Sequence, residues 1–167
     1  MDTMFCFQCE QTAGCTGCTS AAGVCGKKAP TARLQDELTG ALVGLARTVR
    51  ASESGAAAVR PATDDLVMEG LFATVTNVDF DDEELRRLIG RVHAERARIA
   101  EAAGTEAAPD YELDELWNAQ EDVRSLKSLV LFGLRGMAAY AYHAMALGYR
   151  DEAVSAPHRV LPALCPP

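Results

Sequence analysis

The chain has 167 residues, of which 24 are acidic and 16 are basic, so its formal net charge is −8 at neutral pH. This length is typical of one compact domain, and the negative charge disfavours nucleic acid and anionic membrane surfaces as partners. No apolar run approaches the ~20 residues needed to cross a bilayer, and the N-terminus lacks the basic and apolar regions of a signal peptide. We therefore expect a cytoplasmic protein.

The first 29 residues differ from the rest of the chain. They contain five of the six cysteines together with several glycines, and they show little hydrophobic periodicity. This composition predicts an irregular loop that takes its shape from a ligand. After residue 30, Ala, Leu, Glu and Arg dominate and strand-like alternation is scarce, so we expect a mostly α-helical domain.

Three helices are predicted in the first part of this domain. Helical spacing of apolar residues indicates a helix over 31–50 with Thr31 as its N-cap, and a connection over 51–61 follows it. Thr63 is expected to cap a shorter second helix, and Asp81 or Asp82 a third helix that ends at Gly104. The expected buried residues are Leu34, Leu38, Leu42, Leu45 and Val49, then Val67, Leu71 and Val75, then Leu85, Leu88, Val92 and Ile99.

The last third of the chain is predicted to contain a linker and a long helix. Residues 105–119 are acidic and include Pro109, so we expect a linker with one turn of helix. The long helix that follows should end near Gly148 and bury Val123, Leu126, Val130, Leu134, Met137 and Ala141. The prolines between Ser155 and Pro167 exclude a continuing α-helix. Gly40, Gly44 and Gly133 are expected to mark close contacts between helices.

The clustered cysteines carry the chemistry of the chain. Two residues separate Cys6 from Cys9 and Cys15 from Cys18, and Cys25 follows. A tight turn can direct two thiolates at this spacing towards one metal centre, and four ligands among the five candidates suffice for an iron–sulfur cluster. The intervening glycines let the backbone approach sulfide, and Lys27 and Lys28 can offset the negative charge of such a cluster.

Two other uses of these thiols remain as alternatives. Four cysteines can hold a structural zinc ion, but zinc ribbons usually leave roughly 12 to 20 residues between their two pairs. Only five residues separate Cys9 from Cys15. A disulfide or a redox-active dithiol is the second alternative, although clustered thiols in a reducing cytosol bind metal more often. The spacing therefore favours an iron–sulfur cluster.

Several segments of the chain resemble the hybrid cluster proteins, which are also called prismane proteins or hydroxylamine reductases. The resemblance begins in MFCFQCEQTAGCTGCT and GVCGK and continues in ARLQDEL and DDLVMEGLFATVTNVDFDD. It returns in NAQEDVRSLKSLVLFGLRGMAAYAYHAMALGYRDEAV, so that it covers most of residues 4–154. It implies that Cys6, Cys9, Cys18 and Cys25 ligate a cluster beside a domain of helical bundles.

The resemblance also bears on the cluster type and on catalysis. The eight residues between Cys9 and Cys18 resemble the 4Fe-4S members, whereas the six between Cys18 and Cys25 resemble the 2Fe-2S members. We expect a 4Fe-4S cluster, with 2Fe-2S as the alternative. Cys15 stands where the family normally has no cysteine, and we expect it and Cys165 not to be ligands. In the family, later α/β domains hold a catalytic hybrid iron–sulfur–oxo cluster, which we do not expect in this chain.

The predicted fold class is therefore all-α, with an N-terminal Cys-rich iron–sulfur loop packed on a three-helix bundle plus one further long helix. We divide the chain into a cluster-binding loop at 1–29, a helical bundle domain at 30–154 and an irregular Pro-rich tail at 155–167. Expected partners are a redox protein or the remaining reductase domains, and the apolar side of residues 123–147 could pair two copies in a homodimer.

Two functions follow from these expectations. One is electron transfer by a single cluster, and the other is a role as the N-terminal part of a hydroxylamine reductase that does not turn over alone. The sequence places no obvious partner beside His93, His143 or His158, so no catalytic residue is predicted. Trp117 is expected to anchor the linker by packing rather than to bind a ligand.

Overall fold

A computed structural model describes residues 4–9, 16–51, 56–75, 78–151, 154 and 157–165. Its main helices are α1 (Ala29–Arg50), α2 (Pro61–Ala73), α3 (Asp82–Ala103), α4 (Leu113–Trp117) and α5 (Glu121–Ala146). The described residues contain no β-strand, only isolated antiparallel bridges between Cys6 and Cys18 and between Ala22 and Lys28. The fold is therefore all-α, with the Cys-rich segment at the start of α1, as predicted.

Helix α1 is the central element of the bundle. The side chains of Leu38, Leu42 and Leu45 have no exposed surface, and α1 contacts α2, α3, α4 and the C-terminal turns. Its polar threonines stay buried because Thr39 and Thr48 donate hydrogen bonds to the carbonyl oxygens four residues earlier, at 2.8 and 2.9 Å. Such bonds satisfy a buried hydroxyl without an external partner.

The predicted N-caps of the first two helices are wrong. α1 begins after Lys28 and α2 after Arg60, in both cases with a proline in the first turn. Proline sets the helical φ and needs no N–H partner there, so each helix begins two or three residues earlier than predicted. Thr31 instead donates to Asp82 at 2.8 Å, and Thr63 accepts from the Arg60 amide at 3.2 Å.

Helix α3 has the ends that the sequence predicts. The Asp81 carboxylate accepts hydrogen bonds from the amides of Glu83 and Glu84 at 2.9 and 3.3 Å. At the other end Gly104 adopts a left-handed conformation with φ of 64°. Both caps are local arrangements, which explains why sequence alone could place them.

The long helix α5 buries only part of the side that was predicted. Leu134 is buried, and Val130, Met137 and Ala141 pack partly buried against the core, as predicted. Val123 and Leu126 are instead 42% and 65% exposed. The buried residues are Ser128, Leu131, Leu134, Arg135 and Ala138.

Apolar residues occur on both sides of α5, so their spacing did not identify the buried side. The Arg135 guanidinium donates to the hydroxyls of Thr39 in α1 and Thr74 at the end of α2. The buried hydroxyl of Ser128 has no hydrogen-bond partner among the described residues.

Glycines of α1 allow close contact with the linker. A Cβ atom at Gly40 would overlap the carbonyl oxygen of Tyr111, and one at Gly44 would lie 2.8 Å from the carbonyl oxygen of Pro109. These two predictions of close packing are confirmed. The prediction for Gly133 is wrong, because a Cβ there would meet no atom within 4 Å.

The end of the chain packs against the bundle. Pro157–Arg159 and Leu161–Leu164 form 3-10 turns, and the side chains of Leu161 and Leu164 are fully buried. None of the helices within the described ranges is long and apolar enough to span a membrane.

Candidate functional site

Two of the predicted ligands, Cys6 and Cys18, lie side by side. The amide of Cys6 donates to the carbonyl oxygen of Cys18 at 3.1 Å, and the amide of Cys18 donates to the carbonyl oxygen of Cys6 at 2.8 Å. In such a hydrogen-bonded antiparallel pair the two Cα atoms lie about 5.5 Å apart and both side chains are on one side. Both cysteines are buried. The pairing therefore brings together two thiols that are well separated in the Cys-rich segment.

A glycine makes this pairing possible. Gly17 has a φ of 84°, and a Cβ there would lie 3.0 Å from the Phe5 ring and 3.2 Å from the carbonyl oxygen of Cys6. An L side chain would be strained in that conformation and would also crowd the paired backbone. Position 17 therefore requires glycine, because only glycine fits both the positive φ and the close contact with Phe5 and Cys6.

Cys25 is presented by a tight turn. The amide of Gly26 donates to Gly23 at 2.8 Å, and the amide of Gly23 donates to Lys27 at 2.8 Å. Gly26 has a φ of 86°. The Cys25 sulfur lies next to Gly23, at 3.5 Å from where a Cβ would stand. Cys25 and Cys9 are half-buried.

Two of the four predicted ligands, Cys6 and Cys18, are paired through their backbones. None of the four predicted ligands forms a disulfide in the structure. Within the described ranges, no group of three or more His, Cys, Asp or Glu side chains is arranged to hold a metal ion. Cys15 lies outside the described residues. The quartet of ligands therefore remains a prediction.

Cys165 belongs to another part of the molecule. Arg47 and Lys127 lower the pKa of its thiol, although burial raises it overall. The Cys-rich segment leads into the first residues of α1, whereas Arg47 is near its last residue. Eighteen residues of helix separate Ala29 from Arg47, a distance of roughly 27 Å at the usual rise. The charges that act on Cys165 therefore come from the end of α1 that is remote from the N-terminal cysteines.

Burial raises the pKa of the Cys6 thiol, because a thiolate without water is disfavoured. Two groups oppose this effect. The backbone amide of Gln8 donates a hydrogen bond to the sulfur, and Lys27 provides a nearby positive charge. A thiol in this position gains strongly from a bound metal, which replaces its proton.

A buried polar network lies directly behind the cysteines. The Lys27 ammonium is 2% exposed and donates to the side-chain oxygens of Gln8, at 2.7 Å, and Gln35. The face of the Phe80 ring lies 5.9 Å from the nitrogen. Gln8 in turn donates to Asp36 at 2.8 Å. The sequence predicted a charge-compensating role for Lys27 but none of these partners.

Asp36 and Arg135 complete the network. Burial raises the pKa of the half-buried Asp36 carboxyl to about 6, although the Gln8 hydrogen bond and the Arg135 charge oppose the shift. Arg135 is 3% exposed and donates to the hydroxyls of Thr74 and Thr39 at 2.9 and 3.1 Å. Its Nη1 atom is buried without a hydrogen-bond partner. Polar residues at buried helix positions were the signal that sequence analysis missed.

Aromatic side chains cover one flank of the cysteine segment. Trp117 contacts the rings of Phe5 and Phe7, with centroids 6.0 and 5.4 Å apart, and Phe7 also stacks on Phe132. A cavity of about 530 Å³ opens there, lined by Phe5, Phe7, Thr16, Asp114, Trp117, Asn118 and Arg124. Trp117 is 9% exposed, so it packs as an anchor between α4 and the N-terminal segment.

The prediction that the histidines lack partners is wrong for two of them. His93 lies 2.9 Å from an oxygen of Asp110, and His158 lies 2.6 Å from an oxygen of Asp64. His143 instead packs against the rings of Phe72 and Tyr142. Both carboxylates come from other segments, so sequence spacing could not reveal them. The pairs join helices and linkers and include none of the cysteines.

The residues present fit an iron–sulfur cluster in their chemistry. Buried thiols are the ligands that iron–sulfur clusters use, and a cluster with four thiolate ligands is an anion. The segment offers the backbone N–H of Gln8 to the Cys6 sulfur, positive φ at Gly17 and Gly26, and a buried ammonium at Lys27. Such groups stabilise an anionic centre and approach it closely.

Comparison with known proteins agrees with this chemistry. The family model described as Prismane/CO dehydrogenase family matches residues 4–164. A hydroxylamine reductase from Desulfitobacterium hafniense is 43% identical over 177 residues, which cover 92% of this chain and 32% of that protein. A hydroxylamine reductase from Caldanaerobacter subterraneus is 40% identical and one from Desulfovibrio desulfuricans 38%, and the chain covers 31% of each.

The family match covers residues 4–164 of this chain. The chain spans about a third of the length of the curated relatives it matches. The resemblance to hydroxylamine reductases concerns the N-terminal part of those proteins, where the Cys-rich segment and the helical domain lie. The chain belongs to the Prismane/CO dehydrogenase family.

Proposed function

We propose that the chain binds a 4Fe-4S cluster through Cys6, Cys9, Cys18 and Cys25 and uses it to transfer single electrons. The observation that carries this proposal is the reciprocal pairing of Cys6 with Cys18. Two buried thiols from distant positions in the segment meet there, with a buried ammonium behind them. A structural disulfide is a poorer account, because clustered thiols in a reducing compartment bind metal more often than they form disulfides.

In this function the residues of the chain would ligate the cluster, stabilise the charge of its ligands and exclude water. The four thiolates would hold the cluster, which supplies a one-electron couple when bound. The Gln8 amide donates to the Cys6 sulfur and stabilises its charged form. Phe5, Phe7 and Trp117 shield one flank from water, and a drier site strengthens the effect of every nearby charge.

Electron transfer also fits the relation to hydroxylamine reductases. Four thiolates would leave every iron tetrahedrally closed, whereas reduction of the N–O bond needs an open metal position. The hydrogen-bonded histidines lie with carboxylates on other segments and not with the cysteines. We therefore propose that this chain supplies electrons and that hydroxylamine turnover needs ligands beyond those named here.

A second candidate is a role as an interaction subunit of a reductase. Helix α5 carries an outward row that we call the α5 stripe, with members at alternating spacings of three and four residues. The row consists of Leu126, Leu129, Gly133, Gly136, Tyr140, His143 and Leu147, all exposed. Such spacing is typical of a helix that packs against another helix. Exposed apolar rows of this kind favour a protein partner.

Anaerobic reconstitution with iron and sulfide tests the first candidate. We expect an optical and EPR spectrum that converts reversibly with one electron in a potentiometric titration. A protein that binds one zinc ion tightly and takes up no sulfide would instead indicate the structural zinc site. We place the protein in a reducing compartment such as the cytoplasm, because the clustered thiols would otherwise oxidise.

A further inference from the structure

Two cations are buried beside the cysteines, and among the described residues neither has a direct contact with a carboxylate. Lys27 is bound by the amide oxygens of Gln8 and Gln35, and Arg135 by the hydroxyls of Thr74 and Thr39. They are 2% and 3% exposed. Neutral acceptors orient these groups but do not neutralise them, so both charges remain available to a neighbouring anion.

The network contains more positive than negative charge. Among the residues that the structure describes, one carboxylate takes part in the hydrogen bonds of this network. It is Asp36, which accepts from Gln8, and Gln8 in turn accepts from Lys27. Asp36 is also the carboxyl group whose charge acts on Arg135. A buried charge without a nearby opposite charge is strongly unfavourable. A further anion near Cys6 would therefore stabilise the two buried cations.

Asp36 cannot supply that balance by itself. Two cations face one carboxyl group, and burial disfavours the charged form of that group. A cluster with four thiolates carries about two negative charges when oxidised and three when reduced. At neutral pH the two cations and the one carboxyl group leave a surplus of positive charge behind Cys6 and Cys18. This surplus has the sign that the proposed cluster would balance.

We infer that Lys27 and Arg135 are positioning residues whose buried charges raise the reduction potential of the cluster proposed above. The inference rests on the proposed function, because it assumes a cluster at the four cysteines. Reduction adds one negative charge close to two fixed positive charges. In a medium of low dielectric this addition is favoured much more than in water. The cations therefore shift the couple towards the reduced form.

Lys28 provides a matched control for Lys27. The two lysines are adjacent in the sequence and carry the same charge, but Lys28 is exposed while Lys27 is buried. Solvent and salt screen an exposed charge strongly. If burial makes the difference, removal of the Lys27 charge must change the potential far more than removal of the Lys28 charge.

The test compares midpoint potentials of the reconstituted protein by spectroelectrochemistry. At the wild-type midpoint potential, Lys27→Met should lower the ratio of reduced to oxidised cluster at least tenfold, which is 59 mV for one electron. Lys28→Met should change that ratio less than twofold. Equal shifts in the two variants would overturn the inference.

Arg135 provides an independent second pair of variants. Arg135→Gln should lower the potential, whereas Arg135→Lys, which retains the charge, should restore most of it. Equal potentials in Arg135→Gln and wild type would contradict the inference, and this pair decides the matter if Lys27→Met fails to fold. Iron and sulfide content separates the two proposals. A wild-type protein that assembles no cluster refutes the proposed function, whereas loaded variants with unchanged potentials refute only the inference.

Discussion

The contact between α1 and the linker makes Gly40→Ala a sharp test of the packing. The Cβ of an alanine at position 40 would overlap the carbonyl oxygen of Tyr111 and lie 3.4 Å from its carbonyl carbon. These are backbone atoms, so no side chain can rotate away. The amide of Tyr111 also donates to the carbonyl oxygen of Gly40 at 3.1 Å. The linker must therefore move and weaken that hydrogen bond.

The magnitude follows from three terms. Overpacking costs about 1 to 3 kcal/mol, and loss of a backbone hydrogen bond costs about 1 kcal/mol. Replacing glycine by alanine inside a helix returns about 1 kcal/mol. We expect Gly40→Ala to lower the free energy of unfolding by about 1 to 3 kcal/mol.

Gly90→Ala is the matched control. Gly90 lies within α3 and a Cβ there would meet no atom within 4 Å, so only the helix propensity changes. This variant should raise the free energy of unfolding by about 0.5 to 1 kcal/mol. Urea unfolding of both variants, followed by circular dichroism, measures the difference. A Gly40→Ala protein as stable as Gly90→Ala would refute the close contact.

Three further predictions concern electrostatics, assembly and catalysis. Hydrogen bonds from Arg98 and Thr63 hold the pKa of Glu95 at about 2, below its ordinary 4.5. A lowered pKa stabilises the fold above pH 4.5, and that stability is lost as the pH falls towards 2. Because the arginine partners are partly exposed, we expect Glu95→Gln to cost about 1 to 3 kcal/mol at pH 7 and little near pH 2, as measured by urea unfolding at each pH. The α5 stripe should pair two copies, so light scattering after size exclusion should give about twice the monomer mass of 17.8 kDa. Leu129→Glu should give the monomer mass, and a monomeric wild type would exclude the homodimer. With reduced viologen as donor, the reconstituted chain should produce no ammonia from hydroxylamine, and steady production above a control of free iron and sulfide would contradict electron transfer as its sole role.

Local signals explain which parts of the fold could be predicted from sequence. Asp81 and Gly104 end α3 as predicted, because each cap depends on a few neighbouring residues. Thr31 and Thr63 were chosen as caps for the same kind of reason. The prolines at positions 30 and 61 determine the starts of those helices instead. Proline in the first turn is the stronger signal where the two compete.

Long-range contacts explain what could not be predicted. The buried side of α5 depends on Thr39 and Thr74, which receive Arg135 from segments 96 and 61 residues away. The cysteine pattern indicates a candidate site because the candidate ligands are close together in the sequence. Its polar surroundings were missed because Gln35, Asp36 and Arg135 come from helices whose apolar periodicity hides them.

Iron and labile-sulfide analysis after anaerobic purification tests the central claim most directly. The wild type should contain about four irons and four sulfides per chain, as a 4Fe-4S cluster requires. Serine at Cys6, Cys9, Cys18 or Cys25 should remove most of both, whereas Cys15→Ser and Cys165→Ser should leave them nearly unchanged. Two irons per chain would indicate the 2Fe-2S alternative. Iron loss in Cys15→Ser equal to that in Cys18→Ser, or zinc without sulfide in the wild type, would contradict the account.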